Sequence, residues 1–279
     1  MLPSQKNKSY HTKMKNYYLL FIAALLCLSS CEWGAPKKTP PGITRDTLKY
    51  QVQTYKKRAD DCGNKPDSSC TEVNITYPVF SGQPKLNDTI VQKLSSMFLI
   101  NNKTEHSFDA LSQDFFQNYN TVKQTRHAPI KLTLKGSATV SRQDSGLIAI
   151  QLEGYIFTGG AHGLSPTCFI NWDVKANKNL TLADIFNPGY KSQLNSVAGK
   201  IFRKEENLED TSSLSRDYFF KNGKFSLNNN FMITPAGLRF LYNQNEIKPY
   251  AAGQTEIVVP YNQIKSLLKS HTVVSQYIK

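Results

Sequence analysis

The sequence has few of the residues from which metal sites are usually built. Five histidines and five cysteines occur in 279 residues. The histidines of the region after the N-terminal segment show no close pairing: His106, His127, His162 and His271. A zinc site needs three or four such ligands at short, regular spacings. We therefore expect no metal and no other cofactor.

The sequence also lacks an apolar run of the length that a membrane-spanning helix needs. The run from Tyr17 to Leu28 is well short of the roughly 20 residues that a bilayer requires. It follows a lysine after Met14 and leads into small residues before Cys31, which is typical of a secretory signal. Leu28-Ser29-Ser30-Cys31 also resembles the lipobox of bacterial lipoproteins, which implies cleavage before Cys31 and a lipid anchor on that cysteine.

The N-terminal region therefore divides into two segments. We interpret residues 1–30 as a lipoprotein signal peptide and residues 31–44, rich in proline, lysine and glycine, as a tether. The stretch before Met14 is unusually long and polar, which favours Met14 as the translation start; Met1 is the alternative. Since no acidic pair follows Cys31, we predict the periplasmic face of the outer membrane, with surface display as the alternative.

Acidic residues are scarcer than basic ones. Cleavage before Cys31 would remove four lysines and no acidic residue, leaving 30 basic against 21 acidic side chains, a balance of +9. Such a balance favours anionic lipid headgroups, anionic glycans or nucleic acid as partners. The basic residues are scattered, however, and no basic run is interleaved with aromatics. We therefore predict a solvated surface beside an anionic membrane, and no nucleic-acid partner.

Three cysteines follow Cys31. Cys62 and Cys70 enclose GNKPDSS, a segment of turn-forming residues in an exported chain, and we predict a disulfide between them. This disulfide would close a loop of about nine residues and stabilise the fold by roughly 2–3 kcal/mol. Cys168 lies in an alternating apolar segment and is interpreted as a small buried hydrophobic residue, not a nucleophile.

Strands and helices are predicted in neighbouring groups. Apolar residues at helical spacing predict one helix capped by Asp88, another capped by Ser107 and a third that begins at Asn187-Pro188. Asp144-Ser145-Gly146 predicts a hairpin turn. Period-two alternation predicts strands over residues 46–59, 71–80, 132–140, 148–157, 168–174, 231–234, 237–242 and 255–259, before a last helix over 261–268. Paired strands with helices between them predict an α+β fold of antiparallel sheets with helices packed on one face.

Several stretches resemble a known family. "TGGAHG" at 158–163, "NLTLADIF" at 179–186 and "FMITPAGLRFLYNQNEIKPYAAGQTEIVVPYNQI" at 231–264 resemble the bacterial domain of unknown function 3298. "CTEVNITYPVF" at 70–80, with the paired helices after it, resembles its companion, the domain of unknown function 4163. We accordingly expect an N-terminal α+β domain over residues 45–158 and a C-terminal α+β domain over residues 159–279. Together they resemble envelope proteins of the RsiV/PdaC type.

The resemblance implies a function at the cell envelope. RsiV-type proteins carry the domain pair in the extracellular part of an anti-sigma factor that senses lysozyme, and PdaC-type proteins carry it beside a peptidoglycan deacetylase domain. We find neither a transmembrane helix with a sigma-binding segment nor a deacetylase motif. The implied function is a non-catalytic lipoprotein that binds a protein or glycan ligand; the alternative is a hydrolase of cell-wall or surface glycan. Lysozyme is disfavoured as the ligand because animal lysozymes are themselves cationic.

No catalytic residue can be assigned. Ser165, His162 and Asp173 have the side chains of a hydrolase triad, but Ser165 is not in a Gly-x-Ser-x-Gly turn. The acidic pairs at 60–61, 205–206 and 209–210 lie in polar stretches. They predict solvated surfaces, and no glycosidase pair can be chosen among them.

The candidate site is the loop in "FTGGAHGLSP", from Phe157 to Pro166. Gly159, Gly160 and Gly163 lead into a strand and not into a helix N-terminus, which excludes a phosphate cradle of the usual kind. Two successive glycines permit positive φ angles. We predict that His162 fixes this turn by packing or by a hydrogen bond to a loop carbonyl; the alternative is that it lines a ligand cleft.

Overall fold

Nine strands and five α-helices follow one another in the computed structural model, which describes residues 48–126 and 128–278. The N-terminal part of this order is β1 (Tyr50–Arg58), β2 (Glu72–Phe80), α1 (Pro84–Ser96), α2 (Phe108–Thr125), β3 (Thr133–Gln143), β4 (Leu147–Phe157), β5 (Thr167–Asp173) and β6 (Lys178–Asn179). It continues with α3 (Leu182–Ile185), α4 (Tyr190–Glu205), β7 (Phe231–Thr234), β8 (Gly237–Tyr242), β9 (Thr255–Val259) and α5 (Tyr261–Ile264). The predicted α+β class is confirmed. The predicted signal peptide, the tether and Cys31 lie outside the described residues.

The strands form two sheets. The larger has the order β1-β2-β3-β4-β5-β6 and the smaller the order β7-β8-β9. Neighbouring strands are antiparallel, as predicted, except that β2 and β3 are parallel. The exception arises because α1 and α2 lie between β2 and β3, so the chain crosses over the sheet before it re-enters beside β2.

One face of the larger sheet packs against α1 and α2. Every second residue of β4 from Ile148 to Leu152 is buried there, together with apolar residues of both helices: Leu86, Ile90 and Leu94 of α1, and Leu111 and Phe115 of α2. Burial of side chains of this size contributes roughly 1.5–3 kcal/mol each. We call this surface of the sheet the helix-covered face.

Two paired glycines lie beside an aromatic ring on the helix-covered face. Gly136 of β3 and Gly154 of β4 are register partners. A Cβ atom on Gly154 would lie 2.6 Å from Cε1 of Phe98, and a Cβ on Gly136 would lie 3.6 Å from Cε2 of the same ring. Phe98 is fully buried. The ring therefore fills space that a side chain at position 154 would occupy, and it would be in ordinary van der Waals contact with a Cβ atom at position 136.

The smaller sheet covers part of the opposite face. Ala149 and Phe169 of the larger sheet pack against Met232 and Leu241 of the smaller one. A second core lies between the smaller sheet and α4, with Leu194, Ala198 and Phe202 of α4 among its buried residues. Gln151, Glu153 and Tyr155, which follow Ala149 at alternate positions of β4, belong to none of these cores.

Helix starts agree only partly with the sequence prediction. Ser107 caps α2 as predicted, since its hydroxyl oxygen accepts a hydrogen bond of 3.2 Å from the Ala110 N–H. The prediction that Asp88 caps α1 is wrong: this helix begins one turn earlier at Pro84, because proline suits the first helical position, where its missing N–H is not needed. The third long helix begins at Tyr190, after Gly189, and not at Asn187-Pro188.

The larger sheet runs across the predicted domain boundary at residues 158/159. Strands β5 and β6 follow that boundary, and β5 pairs with β4 along Glu153–Leu147. The division into domains 45–158 and 159–279 stays a prediction. Among the described helices, none has the length and apolar character needed to cross a membrane.

Candidate functional site

Part of the larger sheet has a face that the described residues leave open. Strand alternation places Gln151, Glu153 and Tyr155 of β4 opposite the buried Ile150 and Leu152. The same alternation brings polar residues of the neighbouring strands onto this surface. We call the surface formed by Asn74, Thr76, Lys135, Ser137, Glu153 and Tyr155 the sheet-face groove.

The sheet-face groove contains two adjoining hollows. One, of about 380 Å³, is lined by its six defining residues together with Gly136 and Gly154. The other, of about 520 Å³, is lined by Glu153, Gly154, Ser165, Thr167, Gln244 and Gln254. Glu153 and Gly154 belong to both, so the hollows form one depression. Its size is within the range of small-ligand sites, ≈ 300–1,000 Å³.

The groove offers hydrogen-bonding groups of several kinds beside one aromatic ring. Glu153 is the only carboxylate among the described residues that line either hollow. It accepts a hydrogen bond of 2.7 Å from Nε2 of Gln151, which orients it. Tyr155 is 40% exposed. The surface can therefore both hydrogen-bond a polar ligand and stack against an apolar part of it.

The glycine loop forms one end of the groove. Ile156 and Leu164 exchange backbone hydrogen bonds of 2.9 and 2.8 Å, so the loop between β4 and β5 folds back as a hairpin. Gly159 has φ +97°, and its carbonyl oxygen accepts a hydrogen bond from Arg126. A Cβ atom on Gly163 would lie 2.5 Å from Cε2 of Tyr155. Gly163 therefore lets the Tyr155 ring lie against the loop.

His162 is an exposed residue at the tip of this loop. Its Nδ1 lies 3.2 Å from the carbonyl oxygen of Gly163. Its ring stacks on Tyr250, with 3.8 Å between the ring centroids and 21° between the planes. Gln254, in the same connection between β8 and β9 as Tyr250, donates hydrogen bonds to the Ser165 carbonyl (3.2 Å) and to the Thr167 hydroxyl (3.1 Å). These contacts hold the loop against the connection between β8 and β9.

The three residues with triad side chains do not come together. Ser165 lines the groove, whereas Asp173 lies at the opposite end of β5, about 20 Å along the strand from the loop. Asp173 instead accepts a hydrogen bond of 2.7 Å from the Ala176 N–H. Within residues 48–126 and 128–278, no three His, Cys, Asp or Glu side chains cluster so as to hold a metal ion.

Two of the three acidic pairs contain a carboxylate with partners of its own. Glu206 accepts hydrogen bonds from Tyr218 (2.9 Å) and Lys248 (2.8 Å). Asp61 accepts them from Tyr119 (3.0 Å) and Lys123. Neither carboxylate lines the sheet-face groove.

The cysteines differ in their chemical state. Cys62 and Cys70 form the predicted disulfide, with 5.4 Å between their Cα atoms. Cys168 is a free, partly buried thiol that packs on the core. Burial raises the pKa of the Cys168 thiol to about 11, so it stays protonated at neutral pH and is a poor nucleophile.

Sequence reasoning missed most of the groove. Neither Glu153 nor Tyr155 was among the candidate residues, yet both are exposed. The signal was in β4 itself, where Gln151, Glu153 and Tyr155 continue the alternation with polar groups after Ala149. No local sequence pattern identifies Tyr250 or Gln254 as site residues, because only the tertiary fold brings them into contact with the loop.

Two segments of the chain match family models. Residues 183–262 match the model described as "Protein of unknown function (DUF3298)", and residues 64–165 match the model described as "Deacetylase PdaC". The N-terminal domain of unknown function 4163 and the RsiV-type assignment stay predictions.

Curated relatives and solved structures extend this similarity over most of the chain. The immunogenic proteins MPT64 of Mycobacterium tuberculosis H37Rv and MPB64 of Mycobacterium bovis are each 23% identical to it over 267 residues, which is 92% of this chain and 99% of theirs. A DUF3298 family protein from Pseudomonas aeruginosa PAO1 is 24% identical, with a TM-score of 0.61 over 80% of this chain and 95% of its own. Another, from Bacteroides fragilis NCTC 9343, is 23% identical, with a TM-score of 0.63 over 83% and 97%. The chain therefore shares its fold with structures of the DUF3298 family, and its residues 183–262 match that family's model.

Proposed function

We propose that this protein is a non-catalytic binding module of the bacterial cell envelope and that its sheet-face groove binds a glycan. The observation that carries the proposal is the exposed Tyr155 ring beside a row of hydrogen-bonding side chains on an open sheet. The resemblance to envelope proteins and the match of residues 64–165 to the PdaC model support an envelope setting.

A sugar suits the chemistry of the groove. A pyranose ring carries hydroxyl groups that both donate and accept hydrogen bonds, and it has an apolar C–H face. Asn74, Thr76 and Ser137 can serve as donors and acceptors, Lys135 donates and Glu153 accepts. The Tyr155 ring supplies a surface against which the apolar face can stack. A single lysine and a single carboxylate leave the groove close to neutral, which favours an uncharged part of the ligand.

Binding is favoured over hydrolysis by the number of carboxylates. Glycoside hydrolysis generally uses two, ≈ 5–9.5 Å apart, one as acid and one as nucleophile or base. The described residues lining the groove provide Glu153 alone. Hydrolysis of a cell-wall or surface glycan is therefore the second candidate, which the experiment below separates from binding.

The proposal includes a location. The lipobox-like segment before Cys31 supports a lipid anchor, which would hold the module at the outer membrane facing the periplasm. Loss of the protein on protease treatment of intact cells would contradict the periplasmic face and favour surface display.

The test compares two tyrosines of matched exposure. Tyr155 is 40% exposed in the groove, and Tyr50 is 43% exposed on β1 outside it. Soluble muropeptides and N-acetylglucosamine oligosaccharides are titrated calorimetrically into the wild type, Tyr155→Ala and Tyr50→Ala. We expect binding that weakens about tenfold, or about 1.4 kcal/mol, in Tyr155→Ala and stays unchanged in Tyr50→Ala.

Three results would contradict the proposal. The first is that no glycan binds. The second is an equal loss of affinity in both variants. The third is turnover of a titrated glycan, which mass spectrometry of the same samples detects and which would establish the hydrolase alternative.

A further inference from the structure

A second cleft lies beside the disulfide. It has a volume of about 690 Å³ and shares no lining residue with the sheet-face groove. Its walls are the loop closed by Cys62 and Cys70, the C-terminal end of α2 and the segment 128–131 that precedes β3. We call it the disulfide cleft.

The charged groups of the disulfide cleft are mostly positive. Its described lining contains one carboxylate, that of Asp61, and four cations: Lys65, Lys123, Arg126 and Lys131. Asp61 is already engaged by Lys123 and by the Tyr119 hydroxyl. The hydrogen bond from Lys123 lowers the pKa of Asp61, against the effect of burial, so the carboxylate is charged at neutral pH and neutralises Lys123. Three cations remain.

The remaining cations are held by backbone carbonyl groups. Lys131 Nζ donates to the carbonyl oxygens of Asp67 (2.9 Å) and Ser68 (3.0 Å). Lys65 Nζ donates to the carbonyl of Asp61 at 3.3 Å, and Arg126 donates to the carbonyl of Gly159. A neutral carbonyl orients a cation without cancelling its charge. These contacts therefore position three charges around one cleft. The nearby Asp67 carboxylate acts on Lys131 as well, but it is paired with Lys56 and Arg58.

The other parts of the cleft suit a ligand larger than a free anion. Ile130, Pro129 and Tyr119 contribute carbon surface, and the disulfide fixes the loop that carries Lys65. A phosphate monoester carries a charge of ≈ −1.5 to −2 and three acceptor oxygens, which match several converging cations better than the single charge of a carboxylate. The phosphodiester of a lipid headgroup carries one charge on two such oxygens. The volume leaves room for a sugar or glycerol unit next to the phosphate.

We propose that the disulfide cleft binds the phosphate group of a phosphorylated sugar or of a phospholipid headgroup. Lys65, Arg126 and Lys131 contact the phosphate oxygens, and the apolar wall contacts the carbon skeleton. This site is separate from the sheet-face groove, so the inference does not depend on the glycan proposed there.

The test uses variants of equal charge change. Lys65→Gln/Lys131→Gln removes two charges from the cleft, and Lys85→Gln/Lys175→Gln removes two exposed charges outside the cleft and the sheet-face groove. Inorganic phosphate, glucose 1-phosphate and glucose are titrated into each purified full-length chain, and vesicles of phosphatidylglycerol or phosphatidylcholine are sedimented with it. Melting temperatures show that both variants fold.

We expect glucose 1-phosphate to bind and glucose not to bind through this site. Affinity for the phosphorylated sugar should fall at least tenfold in Lys65→Gln/Lys131→Gln, stay unchanged in the control, and decrease as salt is added. Binding confined to phosphatidylglycerol vesicles, with the same dependence on the cleft lysines, would assign the phosphate to a lipid headgroup. Equal losses in both double variants, or no binding of any phosphate probe, would overturn the proposal.

Discussion

The two faces of the larger sheet have different compositions although they come from the same strands. In β4, Ile150 and Leu152 are fully buried under the helices, whereas Gln151, which alternates with them, is half-buried and Glu153 is exposed. The helix-covered face is continuous and apolar, and the opposite face is apolar only as far as the smaller sheet reaches. Folding thus requires one set of residues and leaves the alternate set free for binding.

This difference predicts where substitutions affect stability. Residues on the helix-covered face have partners on every side, so their removal leaves cavities. Residues of the sheet-face groove contact solvent, so their removal should change binding before it changes stability. The predictions below test this contrast in order of decreasing effect on the free energy of unfolding.

The largest effect is expected for Phe98→Ala. The ring is fully buried between Gly136 and Gly154, and truncation of such a residue costs about 3–5 kcal/mol. Lys135→Ala, an exposed residue next to Gly136 on the other face, should change stability by less than about 0.5 kcal/mol. Urea unfolding measures both; similar costs for the two variants would mean that the faces are not distinct in the way described.

A smaller effect is expected for Gly154→Ala. The added Cβ atom would lie 2.6 Å from the Phe98 ring, and such overpacking costs about 1–3 kcal/mol. In a Phe98→Leu background the same substitution should cost less, because the ring is gone. Gly160→Ala is the control, since its Cβ would meet no atom within 4 Å. Equal costs of Gly154→Ala in the two backgrounds would contradict the packing explanation.

Much of the fold could be predicted from the sequence because local rules govern it. Alternation located the strands, and turn chemistry located the hairpin at Asp144-Ser145-Gly146, which joins β3 to β4. Two cysteines around a short turn-rich loop, in a chain predicted to be exported, identified the Cys62–Cys70 disulfide. Each of these features depends on residues that are close together in the chain.

The features that sequence reasoning missed depend on distant residues. The parallel pairing of β2 and β3 is set by where α1 and α2 pack, and nothing within β2 or β3 encodes it. The open part of the sheet depends on how far β7–β9 extend over it. Tyr250 meets His162 across 88 positions of sequence. A local sequence pattern cannot indicate such contacts, so the sequence alone identified only the glycine loop of the candidate site.

A third prediction concerns the end of the sheet where the second core meets it. Burial raises the pKa of the Asp144 carboxyl, but four hydrogen bonds outweigh burial and hold that pKa below its ordinary value. The donors are the Gly146 N–H (3.0 Å), the Tyr277 hydroxyl (2.9 Å), the Leu147 N–H (2.8 Å) and Arg142 (3.2 Å). Asp144→Asn should cost about 1–2 kcal/mol at pH 7, because charge-assisted hydrogen bonds are lost.

The sign of the pH dependence follows from the lowered pKa. The stabilisation by Asp144 is fully present above the unfolded-state pKa of about 3.9 and is lost as the pH falls through the lower folded-state pKa. Urea unfolding at pH 7 and pH 3 should therefore show a smaller difference between wild type and Asp144→Asn at pH 3. Asp217→Asn, at an exposed ion pair with Arg216, should have little effect at pH 7. A difference for Asp144→Asn that grows on acidification would contradict the assignment.

The smallest effect on stability is expected at the loop that borders the sheet-face groove. His162 is exposed, and its contacts are the stacked Tyr250 ring and the Gly163 carbonyl. Aromatic pairs contribute ≈ 0.5–1.5 kcal/mol, and exposure to water should place this pair at the low end. His162→Ala and Tyr250→Ala should therefore each cost about 0.5 kcal/mol, and the double variant should cost little more than either.

His162→Phe separates the two contacts, because it keeps the stacked ring but has no Nδ1. Unfolding close to that of the wild type would show that ring stacking holds the loop. A loss of stability equal to that of His162→Ala would show that the hydrogen bond holds it. If all of these variants unfold like the wild type while glycan affinity falls, His162 is a binding residue of the groove and the prediction of a structural role is wrong.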